Sequence, residues 1–216
     1  MHVIYGGTFD PIHHGHLRLA IELKDRLGVS EVSLVPSHIP PHRGDTGATS
    51  AQRLHMLRLA VAEESGLVVD DRELRREGAS YTADTLRQLR SQLGIHEPLV
   101  MVVGTDAFAG FDRWREWESI VQLAHVVVVR RPGPPLDPQG VPAKLLRERG
   151  VGESQALHRS PWGYVLELDP PLLDISATAI RERIGEGRSV RYLLPDSVWR
   201  EICRLGLYGA CPDGNV

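Results

Sequence analysis

The chain predicts an α/β fold, a doubly wound Rossmann-like parallel sheet with C-terminal helices, and three observations predict it. Short runs of apolar, largely β-branched residues recur along the 216 positions. Helical patterns fill the gaps between them. The first run ends in Gly6-Gly7 and leads within ten residues to a histidine-rich helix start. Strands buried on both faces of a parallel sheet read as continuous apolar runs rather than as alternation. Strand–helix alternation of this length calls for right-handed crossovers, and such sheets bind ligands beyond the carboxyl ends of their strands, where Gly6 and Gly7 fall.

The apolar runs are HVIY (2–5), EVSLVP (31–36), LVV (67–69), LVMVV (99–103) and HVVVV (125–129). After the second, Leu54, Leu57 and Val61 recur at helical spacing, and TSAQ at 49–52 has the form of a capping box. After the third, Leu86, Leu89 and Leu93 repeat the pattern. Gly28 and Gly94 sit where helices are expected to end. Residues 130–142 form a Pro/Gly-rich loop ahead of a short helix at about 143–149. YVLELD (164–169) reads as a further strand and SATAIRERI (176–184) as a helix opening on Ser176. The segment 195–209 holds a last helix with Asp196 as its N-cap and Gly206 just past its end. With no repeat and no linker, residues 1–216 are expected to form a single domain, the last few as a flexible tail.

Composition narrows the function classes. A hydrophobic share of 42% and a charged share of 25% are those of an ordinary globular protein. A net charge of -3 argues against a binder of nucleic-acid polymers, which needs a basic face. Cys203 and Cys211 stand in no metal or redox spacing and are expected as free thiols. No run reaches the roughly 20 apolar residues that span a bilayer. MHVIYGG has none of the features of a secretory signal, so a cytoplasmic setting is expected.

The chemistry concentrates in GGTFDPIHHGH at 6–16. Glycines after a strand let a phosphate approach bare backbone, and a helix start turns N–H groups toward it. The spacing is not G-x-G-x-x-G, VPSHIPPH offers no acid for a ribose hydroxyl, and no P-loop is present, which disfavours a nicotinamide-dependent dehydrogenase. His13 and His16, three apart, would face one side of a first helical turn. Metal ligation, a base, or paired hydrogen-bond donors to phosphate all suit that geometry, as does plain capping. Asp106, in GTDAF after the fourth run, can accept ribose hydroxyls, orient a metal ion or cap the next helix. Ser176 and Thr178 suit either a phosphate-binding helix start or ordinary caps. Trp114 and Trp117 suit either a stacking face or the core.

GGTFDPIHHGH resembles the H-x-G-H signature of the nucleotidyltransferase superfamily, its two histidines of conserved role falling on His13 and His16 with Gly15 between. ISATAIR (175–181) resembles the second signature, ISxTxIR, with Ala177 where serine is often found. Together with PPHR, SYTADTL and GTDAF…RW, in family order, the chain to about Gly209 is similar to the bacterial nicotinate-nucleotide adenylyltransferases. The resemblance implies the nucleotidylyltransferase fold and, within NAD biosynthesis, in-line attack of nicotinate mononucleotide on the α-phosphorus of ATP. His13 and His16 would then stabilise the reacting phosphates. Gly6, Gly7, Thr8, Phe9 and Gly15 would form the ATP cradle, completed by Gly104 and Asp106 on one side and by Ser176, Thr178 and Arg181 on the other. Mg²⁺ would arrive with ATP, bridging its phosphates without a protein ligand. For the mononucleotide, His42 and Arg43 are implied near the phosphate, with Arg131 a further candidate. Trp114 or Trp117 would stack on the pyridine. Thr85 would help its neighbours offer N–H groups to the carboxylate, and Tyr81 and Thr82 would shape that loop. Preference for the amide mononucleotide, and a non-catalytic nucleotide-binding homologue, are the alternatives; oligomeric state stays open.

Overall fold

The computed structural model describes residues 1–39 and 46–210. His42, Arg43, Cys211 and the expected tail fall outside the described residues. Seven strands form one sheet: β1 (His2–Gly7), β2 (Val32–Pro36), β3 (Leu67–Val69), β4 (Leu99–Gly104), β5 (His125–Val129), β6 (Gly150–Val151) and β7 (Val165–Leu168), in the order β3-β2-β1-β4-β5-β7-β6. Every pairing is parallel. The chain winds outward from β1 through β2 to β3, then returns to lay β4 on the other side of β1. That reversal opens a crevice at the carboxyl ends of β1 and β4. Tyr5 pairs with Val102, so Gly7 and Gly104 end their strands side by side.

The apolar runs become strands because each feeds two cores at once. Val3 and Tyr5, Val32 and Leu34, Val100 and Val102, and Val127 and Val129 point to one face. Ile4, Val35, Met101, Val103, Val126 and Val128 point to the other. The first face is covered by α1 (His14–Leu27), α2 (Ser50–Val61), α7 (Ala177–Gly185) and α8 (Asp196–Leu205). The second is covered by α3 (Thr82–Leu93), α5 (Trp117–Leu123) and α6 (Val141–Arg149), with the one-turn α4 (Thr105–Phe108) after β4. Fully burying one such aliphatic side chain contributes about 1.5–3 kcal/mol, so two filled faces fix the register of the whole sheet.

Local signals hold in detail. Thr49 and Gln52 make the capping box, Oγ1 of Thr49 accepting the Gln52 N–H at 3.3 Å and the Gln52 side chain accepting the Thr49 N–H at 2.9 Å. Gly28 and Gly206 take left-handed conformations at φ 64° and 60°, closing α1 and α8. Ser176 caps α7, its hydroxyl accepting the Ala179 N–H at 3.1 Å. Other expectations need correcting. The face that α2 turns inward carries Arg53, Met56, Leu57 and Val61, not Leu54, because Arg53 finds partners inside. Asp196 is the first helical residue of α8, and Pro195 is its N-cap. The short helix α6 starts at Val141, since Pro142 fits a first turn where its missing N–H leaves nothing unpaired. Strand β6 and helix α4 are too short to carry a periodic pattern.

Candidate active site

Beyond the end of β1 the chain turns sharply, with Phe9 at φ 50°. The two glycines do different work there. A Cβ on Gly6 would meet nothing within 4 Å, so this backbone faces open space. A Cβ on Gly7 would lie 2.8 Å from the Phe9 ring, so the missing side chain of Gly7 leaves room for that ring. Of the two, Gly6 presents the open surface, and Gly7 admits the ring that lies beside it. Phe9 is buried, and its ring meets Tyr5 edge-on at 5.8 Å and His16 at 5.1 Å.

His13 is the N-cap residue of α1, and its imidazole stacks on that of His16 with ring centroids 3.7 Å apart. Gly15 makes this possible, since a Cβ there would sit 3.0 Å from the His13 ring and 3.3 Å from the Ile175 carbonyl oxygen. His14 is turned away and lies on the flank with Leu17 and Arg18. The helix start offers fewer donors than expected. The His14 N–H is taken by the Leu193 carbonyl at 3.0 Å, and the His16 and Leu17 N–H groups fold back onto the His13 carbonyl, which leaves that of Gly15. His13 is 4% exposed, and its Nδ1 is buried without a hydrogen-bond partner among the described residues. Burial, then the Arg131 guanidinium and His14, push its pKa down to about 4. At neutral pH it is an uncharged imidazole that can donate a hydrogen bond from one ring nitrogen.

The opposite wall is the start of α7, brought to α1 by the contact of Ile175 with Gly15. Ser176 uses its hydroxyl oxygen as a cap and keeps its proton to donate. Arg181 reaches back one turn to Thr178 at 3.4 Å and forward to the Asp10 carbonyl at 2.7 Å. Asp10, which the sequence reading passed over, is a buried hub. Its carboxylate accepts the N–H groups of Gly47 and Ala48 at 2.9 and 3.2 Å and the Tyr208 hydroxyl at 2.7 Å. Burial first, then the bond to Asp10, push the Tyr208 phenol far above its usual range, so it stays the donor.

On the β4 side, Asp106 sits in the first turn of α4, whose N-cap is Gly104, so Asp106 does not cap this helix. It faces Arg131 at 3.6 Å, and the Arg131 N–H is fixed by the Thr105 hydroxyl at 3.1 Å. A Cβ on Gly104 would meet the Asp106 carboxylate and come within 2.9 Å of Arg131 Nε, so that glycine leaves room for the pair. Arg131 acts electrostatically on both His13 and Tyr5, which places it on the histidine side of the crevice.

The remaining candidates lie around α3. Tyr81 is its N-cap residue, and the Asp84 and Thr85 N–H groups close onto the Tyr81 carbonyl, so Thr82 and Ala83 carry the unclosed donors of that turn. Thr85 itself is buried, its hydroxyl donating to Glu73 and accepting from Arg76, both at 2.6 Å. Arg115 lies over the Tyr81 ring at 4.6 Å, linking this turn to the tryptophan segment. Trp114 and Trp117 are half-buried and both rest on Phe111, at 5.4 and 6.3 Å. Tyr5 and Arg53 were not singled out by the sequence, because a buried tyrosine in a strand and an arginine on a helix carry no motif. No cluster of three or more His, Cys, Asp or Glu that could hold a metal ion occurs among the described residues. No helix among them is long and apolar enough to cross a membrane.

Comparison with known proteins bears on the family and the fold. Residues 4–183 match the cytidylyltransferase-like family. Two curated relatives carry the name "Probable nicotinate-nucleotide adenylyltransferase". That of Marinobacter nauticus is 66% identical over 98% of both chains, and that of Cellvibrio japonicus is 49% identical over 95% of this chain and 97% of its own. Among solved structures, the nicotinic acid mononucleotide adenylyltransferase of Plasmodium falciparum complexed with NaAD superposes with a TM-score of 0.71 at 17% identity. That alignment covers 99% of this chain and 97% of the other, and at such identity it speaks for the fold.

Proposed function

The chain belongs to the cytidylyltransferase-like family, as a nicotinate-nucleotide adenylyltransferase, and we propose that the crevice between β1 and β4 is where it joins ATP to nicotinate mononucleotide. The reaction is adenylyl transfer in NAD biosynthesis. A phosphate oxygen of the mononucleotide forms a bond to the α-phosphorus of ATP, the bond to the β-phosphate oxygen breaks, and its electron pair leaves with pyrophosphate. The attacking phosphate is already an anion at neutral pH, so the protein needs no nucleophile of its own and no strong base. It must align two substrates and stabilise the charge that builds on the phosphates.

The observation that carries the assignment of roles is the stacked imidazole pair, held against the bare backbone of Gly15 beside Ile175, the residue before the α7 cap. In this reading His13 and His16 donate hydrogen bonds to phosphate oxygens, with the Gly15 N–H beside them. As negative charge accumulates, the burial that keeps His13 neutral is offset by the anion, and its donor strength rises. Thr8 and the Phe9 backbone border the triphosphate, and Ser176, Thr178 and Arg181 receive its far end. A divalent cation accompanying ATP, assigned here as Mg²⁺, supplies neutralisation of the phosphates. Asp106, exposed and at the strand ends, is the carboxylate suited to accept ribose hydroxyls of the nucleotide, the cation being held by the phosphates without a protein ligand.

For the acceptor, the start of α3 offers N–H groups to the pyridine carboxylate, and Trp114 or Trp117 offers a face to the ring. His42 and Arg43 are assigned to its phosphate, with Arg131 between the two substrates. The bond between Tyr208 and Asp10 joins the last helical segment to the first loop, which favours residues 1–216 acting as one domain. A cytoplasmic setting, where both nucleotides are made, completes the reading. The test is initial rates of pyrophosphate and dinucleotide formation with the acid and the amide mononucleotide at equal ATP. The expected result is a clear preference for the acid. Equal efficiency would remove the carboxylate pocket, and no pyrophosphate release with either would remove the reading.

A further inference from the structure

Arg53 has no place in the roles given so far, yet it is completely buried on α2. Its Nη1 donates to the Thr8 carbonyl at 2.6 Å, in the loop that leaves β1. Its Nη2 donates to the His38 carbonyl at 3.0 Å and to the Ser50 hydroxyl at 3.1 Å, in and beside the loop that leaves β2. The Ser50 hydroxyl lies 3.1 Å from that same carbonyl and 2.9 Å from Nδ1 of the His38 ring, so it ties both the main chain and the ring of His38 to the start of α2. The stitching continues outward. The Ser37 N–H donates to the Gly7 carbonyl at 3.0 Å, the His38 N–H donates to the Ser80 hydroxyl at 2.9 Å, and the Ser80 N–H donates to the Ile39 carbonyl at 3.0 Å.

A buried guanidinium whose N–H groups meet no carboxylate directly, with the nearby Asp10 charge offsetting only part of its burial, is an expensive way to fill a core. Removing a charge from water costs several kcal/mol, and apolar residues of similar volume are often as stable or more so. Here one N–H, on Nε, lacks a partner among the described residues. What an apolar side chain could not supply is the planar fork, whose nitrogens hold two backbone carbonyls at a fixed separation. The two carbonyls belong to the loop assigned to ATP and to the loop that runs into the residues assigned to the mononucleotide.

We infer that Arg53 is a positioning residue that locks the donor loop at Thr8 to the acceptor loop at His38, setting the distance between the attacking phosphate and the α-phosphorus. The inference rests on the adenylyl-transfer reading above. Each nucleotide is bound by its own contacts, whereas their relative placement depends on the fork. In-line transfer is sensitive to that placement, a misplacement of about 1 Å costing on the order of 10²-fold in rate.

Two variants and the wild type test it, with kcat from dinucleotide formation, Kd by calorimetry for ATP alone and for nicotinate mononucleotide alone, and a thermal melt. In Arg53→Lys the ammonium is a single point donor that cannot span both carbonyls. The expected result is a fall in kcat of about tenfold or more, with each separately measured Kd within about threefold of wild type. Ser50→Ala removes one strut of the same bridge and is expected to lower kcat several-fold with the same unchanged affinities. It carries the test alone if Arg53→Lys does not fold. Wild-type kcat in the variants overturns the inference, as does a loss of activity fully matched by weaker binding of either nucleotide. Absence of turnover by the wild type overturns the underlying reading and this inference with it, whereas the ratio of variant to wild type bears on Arg53 alone.

Discussion

Substituting Gly15 by alanine should raise or preserve stability while lowering turnover, and the structure sets both signs. Gly15 is the second residue of α1 and has no positive φ, so the backbone accepts alanine without strain. In a helix, alanine is favoured over glycine by up to about 1 kcal/mol, less in the first turn. Against this, the new methyl lands 3.0 Å from two atoms of the His13 ring and 3.3 Å from the Ile175 oxygen. The ring must withdraw by a few tenths of an ångström, and it is stacked at 3.7 Å on His16, so the pair moves together. Scaled from the ~10²-fold cost of a misplacement of about 1 Å, the expected fall in kcat is about tenfold. The melting temperature should stay within about 3 °C of wild type, the shift that about 1 kcal/mol produces in a chain of this size. The assay is dinucleotide formation at saturating substrates, with a melt on the same preparation. A variant with wild-type kcat would show that the geometry of the imidazole pair does not govern the rate.

Three further outcomes are expected. His16→Ala should lower kcat about 10²–10³-fold with the fold retained by circular dichroism, the cost of one preorganised donor to a charged transition state; near-normal turnover would exclude the role. The folded pKa of His13, about 4, lies below its unfolded value of 6.5, so the unfolded chain binds more protons between these limits. Its contribution is complete above pH 6.5 and is lost as pH falls toward 4, by about 3 kcal/mol in all, and urea unfolding of wild type against His13→Gln at pH 7 and pH 4.5 should show the variant losing less. Gly104→Ala should push aside the Asp106–Arg131 pair and raise KM for ATP about tenfold, the loss of one charge-assisted contact, while its melt is unchanged because only side-chain ends must move; an unaltered KM would detach that pair from ATP.

The sheet was legible because parallel strands buried on both faces write themselves as apolar runs, and β1, β2, β4 and β5 do so. Helix ends were legible where one residue type answers one backbone need, as at Gly28, Thr49 and Gly206. The face of α2 was not, because periodicity weighs apolar residues and the inward position belongs to Arg53, whose partners are backbone carbonyls from two loops far off in sequence. Asp10 and Tyr208 escaped for the same reason: 198 positions separate two groups that meet at 2.7 Å. The histidine pair was found from its spacing, but its stacking was not, since that depends on the space Gly15 leaves and on the Phe9 ring beneath.

The glycines around the site bear on how it works. Gly6, Gly7, Gly15 and Gly104 are all expected at the nucleotide, yet of these four a Cβ would be free only at Gly6. At the other three the missing side chain is occupied from within, by the Phe9 ring, the His13 ring and the Asp106–Arg131 pair. Three of the four glycines therefore order the groups that face the ligand. An imidazole held between a neighbouring ring and bare backbone has no freedom left to lose when phosphate arrives, and that saving falls on the barrier rather than on ground-state affinity. By this argument, substitutions at Gly7 and Gly15 should change kcat more than KM, whereas a side chain at Gly6 should obstruct the substrate itself and change KM. Paired kinetics on Gly6→Ala and Gly15→Ala separate the two uses, and the same split at both positions would refute the distinction.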